Sequence, residues 1–454
     1  MAFAFLVSMI LFGTIIRARI SFFQNNLVPA SLIGGVLGFI LISTGLSFGL
    51  NNTDFTAFAF HFFTLSFMSL VLTGSATKDS KTKNDTKIAA GGMWLSIIWV
   101  MSLVLQAMVG LGAILIYNEL SDGQLSHFLG IIVTHGFTQG PGQALAMGNI
   151  WQNQLGIEHA INFGLVYASI GFFVAFVVGI PIAKRSIRLG LNYNQAARID
   201  DEFLKGIMQT HLSSGKQITH PANVDSLVYH ISILGLAYLI TDQYLLFMNP
   251  IASSTEIGGI NFGIIFSHNL FFIHGLMICL IMRKIMDKAG YGHMIDNETQ
   301  RRITGSSVDL MVVGTLMSVG VGFLSDFAIP ILLVSISAAA ATAALCFGFG
   351  KKLRSFGPER ALTAYGCCCG STGSGLLLLR IMDPDLSTPV AKELAFFNIA
   401  ILVLSAHILM VMAPILPTFS LLTISMVYIG TFVLGVVTLL LMDRRNVASP
   451  DRIS

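Results

Sequence analysis

Thr134-His135-Gly136-Phe137-Thr138-Gln139-Gly140-Pro141-Gly142-Gln143-Ala144 and Tyr365-Gly366-Cys367-Cys368-Cys369-Gly370-Ser371-Thr372-Gly373-Ser374-Gly375 interrupt two of the chain's long apolar runs. Placing Gly136 over Gly366 also places Gly140 over Gly370, so a Gly-x-x-x-Gly spacing occurs once in each half. Glycine and proline break a helix and free backbone N–H and C=O groups. In lipid such groups are costly, so the broken stretch must face protein or a wet cavity. One Gly-x-x-x-Gly alone is most simply a close helix contact. Two of them, both rich in polar side chains, point to paired broken helices that build one site.

The surrounding composition sets the solvent. Of 454 residues, 54% are hydrophobic and 11% charged, against roughly 25% charged in soluble domains. Mean hydropathy is +0.76. Apolar runs long enough to cross a ~30 Å hydrocarbon core recur throughout. The bilayer is the solvent, and the fold class is an all-α polytopic membrane protein. The first seventeen residues are apolar without a basic leader or small-residue cleavage site, so they read as a span and not a signal peptide, though the chain could begin earlier. Net charge is only +3, with no basic stretch interleaved with aromatics, which excludes nucleic acid as a partner. The five cysteines, Cys279, Cys346 and Cys367 to Cys369, show no metal-ligand spacing and imply no disulfide framework.

Hydropathy places apolar segments at about 1–17, 27–50, 55–77, 88–117, 125–150 and 158–183 in the first half. The second half holds 225–247, 259–283, 305–324, 328–350, 358–381 and 393–416, with 418–442 appended. A polar stretch, 184–224, divides the halves. Four regions follow: a first membrane repeat (1–190), a polar cytoplasmic linker (191–224), a second repeat (225–416), and a last span with its tail (417–454).

Lys and Arg cluster at Arg17/Arg19, Lys78–Lys87, Lys184–Lys216, Arg283–Arg302, Lys351–Arg354 and Arg444/Arg445. If every segment crossed, Lys78–Lys87 and Lys184–Lys216 would fall on opposite sides, against the positive-inside tendency. Re-entry of 125–150 and of 358–381 restores one cytoplasmic face. The expectation is eleven full spans and two re-entrant hairpins, with the N-terminus outside and the C-terminus cytoplasmic. The halves are then inverted repeats, a recurring build of secondary transporters with broken helices near the midplane.

Freed N–H groups at helix N-termini suit an anion, and freed carbonyls suit Na⁺. The candidate binding residues are Thr134, His135, Gly136, Gln139, Gly140, Gly142 and Gln143 in the first stretch. In the second they are Gly366, Gly370, Ser371, Thr372, Gly373, Ser374 and Gly375. Thr138 adds a hydroxyl. Arg380 either attracts a substrate carboxylate or snorkels to the interface beside Asp383 or Asp385. His135 either bonds substrate, with a pH response, or is structural. Asn162 and Asn398, in the spans after each stretch, either complete a site or bond between helices. His61, His230, His268, His274 and His407 read as bundle histidines, each bonded locally. Asp242, Asp309 and Asp326 read as interfacial, near span ends.

The two stretches, the two-half layout and Pro29-Ala30-Ser31-Leu32-Ile33-Gly34-Gly35 resemble the bacterial sodium/glutamate symporter family. The likeness rests mainly on His135-Gly136 through Gly142 and on Gly366 through Gly375. It implies Na⁺-coupled symport of glutamate, a small anionic amino acid, across the bacterial cytoplasmic membrane. It also implies paired hairpins at the substrate site, elevator-type movement and a homodimer, with no cofactor beyond the coupling ion. The chain departs from the family pattern in the inserted Phe137-Thr138-Gln139, the long linker and the appended span. Another dicarboxylate or amino acid, with Na⁺ or H⁺, is the alternative cargo. A channel would favour a continuous polar pore, and polarity here is confined to two points. An enzyme, metalloprotease or ATPase would need a nucleophile motif, a metal cluster or a P-loop, and none occurs.

Overall fold

The computed structural model describes residues 1–73, 83–121, 123–194, 204–207, 215–257, 260–384 and 386–445. The lysine loop at 74–82, most of the linker (195–203 and 208–214), Asp385 and the tail from 446 lie outside these. Apart from one two-residue antiparallel pair, Glu256–Ile257 with Ile260–Asn261, the regular structure is helical.

The first half contains α1 (Ala2–Arg19), α2 (Ser21–Asn25), α3 (Ala30–Ser43), α4 (Thr53–Leu72) and the long α5 (Lys83–Ser121). Then come the short α6 (Phe128–Ile131), α7 (Val133–Phe137) and α8 (Pro141–Asn153), followed by α9 (Ala160–Arg188). The second half contains α10 (Ser226–Ser253), α11 (Phe271–Lys288), α12 (Asn297–Met317), α13 (Val321–Asp326) and α14 (Ala328–Gly350). It closes with α15 (Gly357–Cys369), α16 (Thr372–Met382), α17 (Val390–Leu404) and α18 (Leu421–Arg445).

Eight helices among the described residues are long and apolar enough to span a bilayer, so the chain is an all-α polytopic membrane protein. Three apolar runs fold differently from a single span. The run 27–50 yields only α3, which starts after Pro29 and stops before Gly45 at φ +78°. The run 305–324 belongs to a more polar α12 that begins earlier, where the Asp296 side chain accepts from Thr299 N–H as an N-cap. The run 393–416 divides at Ser405 into α17, a π-helical turn (His407–Met412) and a 3₁₀ turn (Ala413–Thr418) holding Pro414 and Pro417. Proline lacks the N–H needed to continue an α-helix there.

Packing separates inner from outer helices. In its most apolar window α5 is 78% buried, whereas α18 is 17% buried and lies at the periphery. The largest apolar core joins α5, the first broken segment, α9, α14, the second broken segment and α17, and it also takes in Leu32 of α3, Phe63 of α4, Phe272 of α11 and Met311 of α12. Two smaller cores sit apart from it. One joins α4, α10, α11 and α12 (Met68, Leu234, Phe271, Ile303), and the other joins α1, α3, α4 and α12 (Leu6, Ile42, Phe55, Val313).

Two acidic residues expected at span ends lie inside helices. Asp242 is within α10 and bonds His268 at 3.0 Å, and Asp309 is within α12 beside the Ser31 hydroxyl. Asp326 does end α13. The histidines each find a separate partner: His61 with Tyr238, His230 with Ser226 and Asp296, His274 with Ile265, and His407 with Thr431.

Candidate functional site

The first broken segment folds back on itself. α6 and α7 descend, the chain turns at Thr138–Gly140, and α8 returns. The outer ends of both limbs meet where the Phe128 and Trp151 rings lie 6.2 Å apart. The turn depends on Gly140, whose φ of 85° and ψ of −177° lie in a region essentially reserved for glycine. Pro141 then occupies the first turn of α8, where its missing N–H leaves no bond unmade. Gly136 has a different task. A Cβ there would stand 2.7 Å from the Ala168 amide nitrogen, so it lets the first limb lie on α9.

The second broken segment is also a hairpin. Gly366 of α15 faces Gly375 of α16 so closely that a Cβ would lie 2.7 Å from the Gly375 Cα. Between the limbs, Gly370 (φ −138°, ψ −81°) leaves the helical conformation and Ser371 is extended, and the Ser371 hydroxyl accepts from Ser374 N–H at 3.3 Å to cap α16. The Thr372 hydroxyl donates to Asn398 Oδ1 at 3.0 Å, tying the break to α17. Gly373 lies against Val308 of α12. The equal Gly-x-x-x-Gly spacing therefore carries two roles in each half: the first glycine serves packing and the second serves the turn.

The two breaks meet. A Cβ on Gly140 would lie 3.6 Å from the Gly370 carbonyl oxygen. Gly171 of α9 touches both, its Cβ position being 2.4 Å from the Cys369 carbonyl oxygen and 3.2 Å from the Phe137 Cα. Between them lies a fully enclosed polar knot centred on Gln106 of α5. Its Nε2 donates towards Ser102 Oγ (3.1 Å), Thr342 Oγ1 (2.9 Å) and the Cys368 carbonyl (2.9 Å). Its Oε1 accepts from the Thr138 hydroxyl at 2.6 Å. The Thr134 hydroxyl donates nearby to Leu103 O at 2.7 Å.

Other polar groups at the first break have no partner among the described residues. Both ring nitrogens of the fully buried His135, Nε2 of Gln139 and both amide atoms of Gln143 are unbonded. The His135 ring meets Trp151 edge-on at 5.6 Å, and Trp151 Nε1 donates to Ala413 O at 2.8 Å. Gln139 and Gln143 line a cavity of about 40 Å³ with Phe67, Trp99, Phe272 and Ser405. A void of that size has room for about two or three waters. Buried amides need partners, so these are groups that water or a ligand in the cavity would complete.

The remaining candidates sit farther out. Asn162 is exposed near the start of α9, whereas Asn398 is drawn to the second break. Arg380 is exposed in the last turn of α16, roughly 13 Å along the axis from Ser371 at 1.5 Å per residue. Asp383 is engaged elsewhere, accepting from Asn194, Ser387 and Thr388.

Sequence reading missed Gln106, Ser102 and Thr342, which sit singly in apolar helices. The available signal was an uncharged amide in the run Leu103-Val104-Leu105-Gln106-Ala107, since a buried amide must find partners. It also missed the buried pair between Arg360 of α15 and Glu393 of α17. Nε and Nη2 reach the two carboxylate oxygens at 2.8 and 2.6 Å, a bidentate contact that anchors the second hairpin.

No curated protein matches the chain. The family model described as sodium/glutamate symporter matches residues 1–357, which takes in the first break and ends at the start of α15. A match of that extent places the chain in the sodium/glutamate symporter family.

Proposed function

We propose that the chain carries glutamate, or a similar small carboxylate, inward with Na⁺, and that the paired breaks bind it. The family is one of transporters, and the chain's long apolar helices fit a multi-pass carrier. The observation that supports the finer reading is the meeting of Gly140 with Gly370. It brings the N-termini of α8 and α16 to one place, beside unpaired amides of Gln139 and Gln143. Free first-turn N–H groups and the positive ends of two helix dipoles favour an anion there. An acidic amino acid fits that polarity. The elevator-type movement and the homodimer rest on the family membership and not on the packing, since α4 and α12 contribute to the large core as well as to the two smaller ones. In that reading the body holding both breaks moves against the rest of the chain, and the halves are inverted with the N-terminus outside.

The test is uptake into proteoliposomes. Labelled glutamate should accumulate only with an inward Na⁺ gradient, and equal accumulation without one sinks the coupling. Competition by other dicarboxylates and amino acids ranks the cargo. For the re-entrant arrangement, a cysteine at Gln154 should react with an impermeant outside reagent, and protection would overturn it.

A further inference from the structure

The Gln106 knot has more oxygens than its hydrogens can serve. An amide NH₂ carries two hydrogens, yet Gln106 Nε2 stands within 2.9–3.1 Å of three oxygens, from Ser102, Thr342 and Cys368. A fourth oxygen, Thr138 Oγ1, lies 2.6 Å from Gln106 Oε1 and 3.3 Å from the Cys368 carbonyl oxygen. These groups come from α5, α14 and both hairpins, and each is essentially buried. Thr342 spends its own hydrogen on Ala338 O at 2.7 Å, so its lone pairs face the knot.

The Cys368 carbonyl is the telling member. In a continuing helix it would accept from the N–H of residue 372, but α15 ends at Cys369 and α16 starts anew. It is therefore freed, and it sits at the negative end of the α15 dipole. Three neutral oxygens around one partly positive NH₂ group, with the Thr138 hydroxyl beside the Oε1 of the same amide, gather at a helix C-terminus into a cage suited to a small hard cation. Freed carbonyls and hydroxyls can replace such an ion's water.

We propose that Ser102, Thr138, Thr342 and the Cys368 carbonyl, with the Gln106 amide turned to offer Oε1, bind the coupling Na⁺. This rests on the Na⁺-coupled reading above and gives it a mechanism. A cage of neutral oxygens leaves a buried cation without a counter-charge, which is unfavourable. A substrate carboxylate at the α8 and α16 N-termini lies just across the same breaks and supplies that charge. Each ligand then strengthens the other's binding, as linkage requires. Because Thr138 and Cys368 belong to opposite hairpins, the ion also fastens them together.

The experiment uses the purified full chain in detergent. Its thermal midpoint is titrated with NaCl against choline chloride and KCl at fixed ionic strength, with and without glutamate. The wild type should gain Na⁺-specific stability, since a ligand that binds only the folded state raises its stability. Thr342→Val and Ser102→Ala should each raise the half-effective Na⁺ concentration by roughly tenfold, about one lost ligand contact. Gln106→Glu should lower it, a gain that misfolding cannot imitate. Glutamate affinity at saturating Na⁺ should change far less. A Na⁺-responsive wild type with all three variants titrating alike overturns the cage alone. A wild type with no Na⁺-specific response overturns the coupling reading and the cage together.

Discussion

The two breaks stop a helix in the middle of the molecule by different chemistry. At the first, the turn is made by backbone geometry: Gly140 adopts a conformation closed to other residues, and Pro141 restarts the helix. Its polar side chains, His135, Gln139 and Gln143, stay unpaired. At the second, the turn is made by side chains. Ser371 caps α16, Thr372 holds Asn398, and Arg360 clamps Glu393. The first break keeps unbonded groups at the turn and on the returning limb, whereas the unbonded Thr363 hydroxyl of the second lies on α15, away from the turn. In the proposed reading the side chains of the first hairpin serve recognition, while those of the second chiefly hold its backbone in place, on opposite sides of one contact at Gly140 and Gly370.

The sharpest way to break that division is through the clamp. Arg360→Met leaves Glu393, only 1% exposed, as an uncompensated buried charge. Losing one partner of such a pair costs about 3–5 kcal/mol, so the thermal midpoint in detergent should collapse. Replacing both residues with apolar ones should restore most of it. An unchanged midpoint in the single variant would remove the scaffolding role. Next in size is Gly140→Ala, which forces alanine into a glycine-only region at about 1–3 kcal/mol. Gly370→Ala should cost less, because its φ of −138° is ordinary and its nearest obstacle is the Ser374 hydroxyl. A reversed order in stability and uptake would contradict the contrast between the turns.

Gln143→Met tests recognition. Removing two buried, unpaired amide atoms should leave the ligand-free protein as stable or raise it by about 1–3 kcal/mol. Glutamate binding should nonetheless weaken by roughly tenfold, the loss of one good hydrogen bond. Weaker binding together with a lower midpoint would show Gln143 to be structural. Ser371→Ala should do the opposite, lowering stability by about 1 kcal/mol through the lost cap.

The extent to which these features could be read in advance follows from the range of the forces involved. Composition and local periodicity fix the all-α membrane class and most segment edges, and the run 328–350 matches α14 residue for residue. The glycine pairs located both breaks, because a break is a local event. What could not be read is what the breaks touch. Gln106 gains its meaning from Thr342 and Cys368, which are more than two hundred positions away. Likewise nothing beside Arg360 announces Glu393. The division of the 393–416 run was partly legible in Pro414 and Pro417, but the π-helical turn at His407 depends on packing and has no local signature.

The smallest effect concerns the outer end of the second hairpin. Asp383 is fully buried and accepts hydrogen bonds from Ser387 and Thr388, backbone and hydroxyl alike, and from Asn194. Burial pushes its carboxyl pKa up, but the bonds from Thr388, Ser387 and Asn194 outweigh burial and hold it below the ordinary 3.8. A carboxylate with a depressed folded value stabilises the fold above its unfolded value, and that contribution fades as pH falls through the folded one. The wild type should therefore lose stability progressively below about pH 4, while Asp383→Asn, less stable at neutral pH, should lose less over the same interval. Thermal midpoints of both proteins between neutrality and acid measure the difference. Parallel curves would mean that the hairpin's outer end is held by its helices and not by this carboxylate, leaving the Arg360 clamp as its principal anchor.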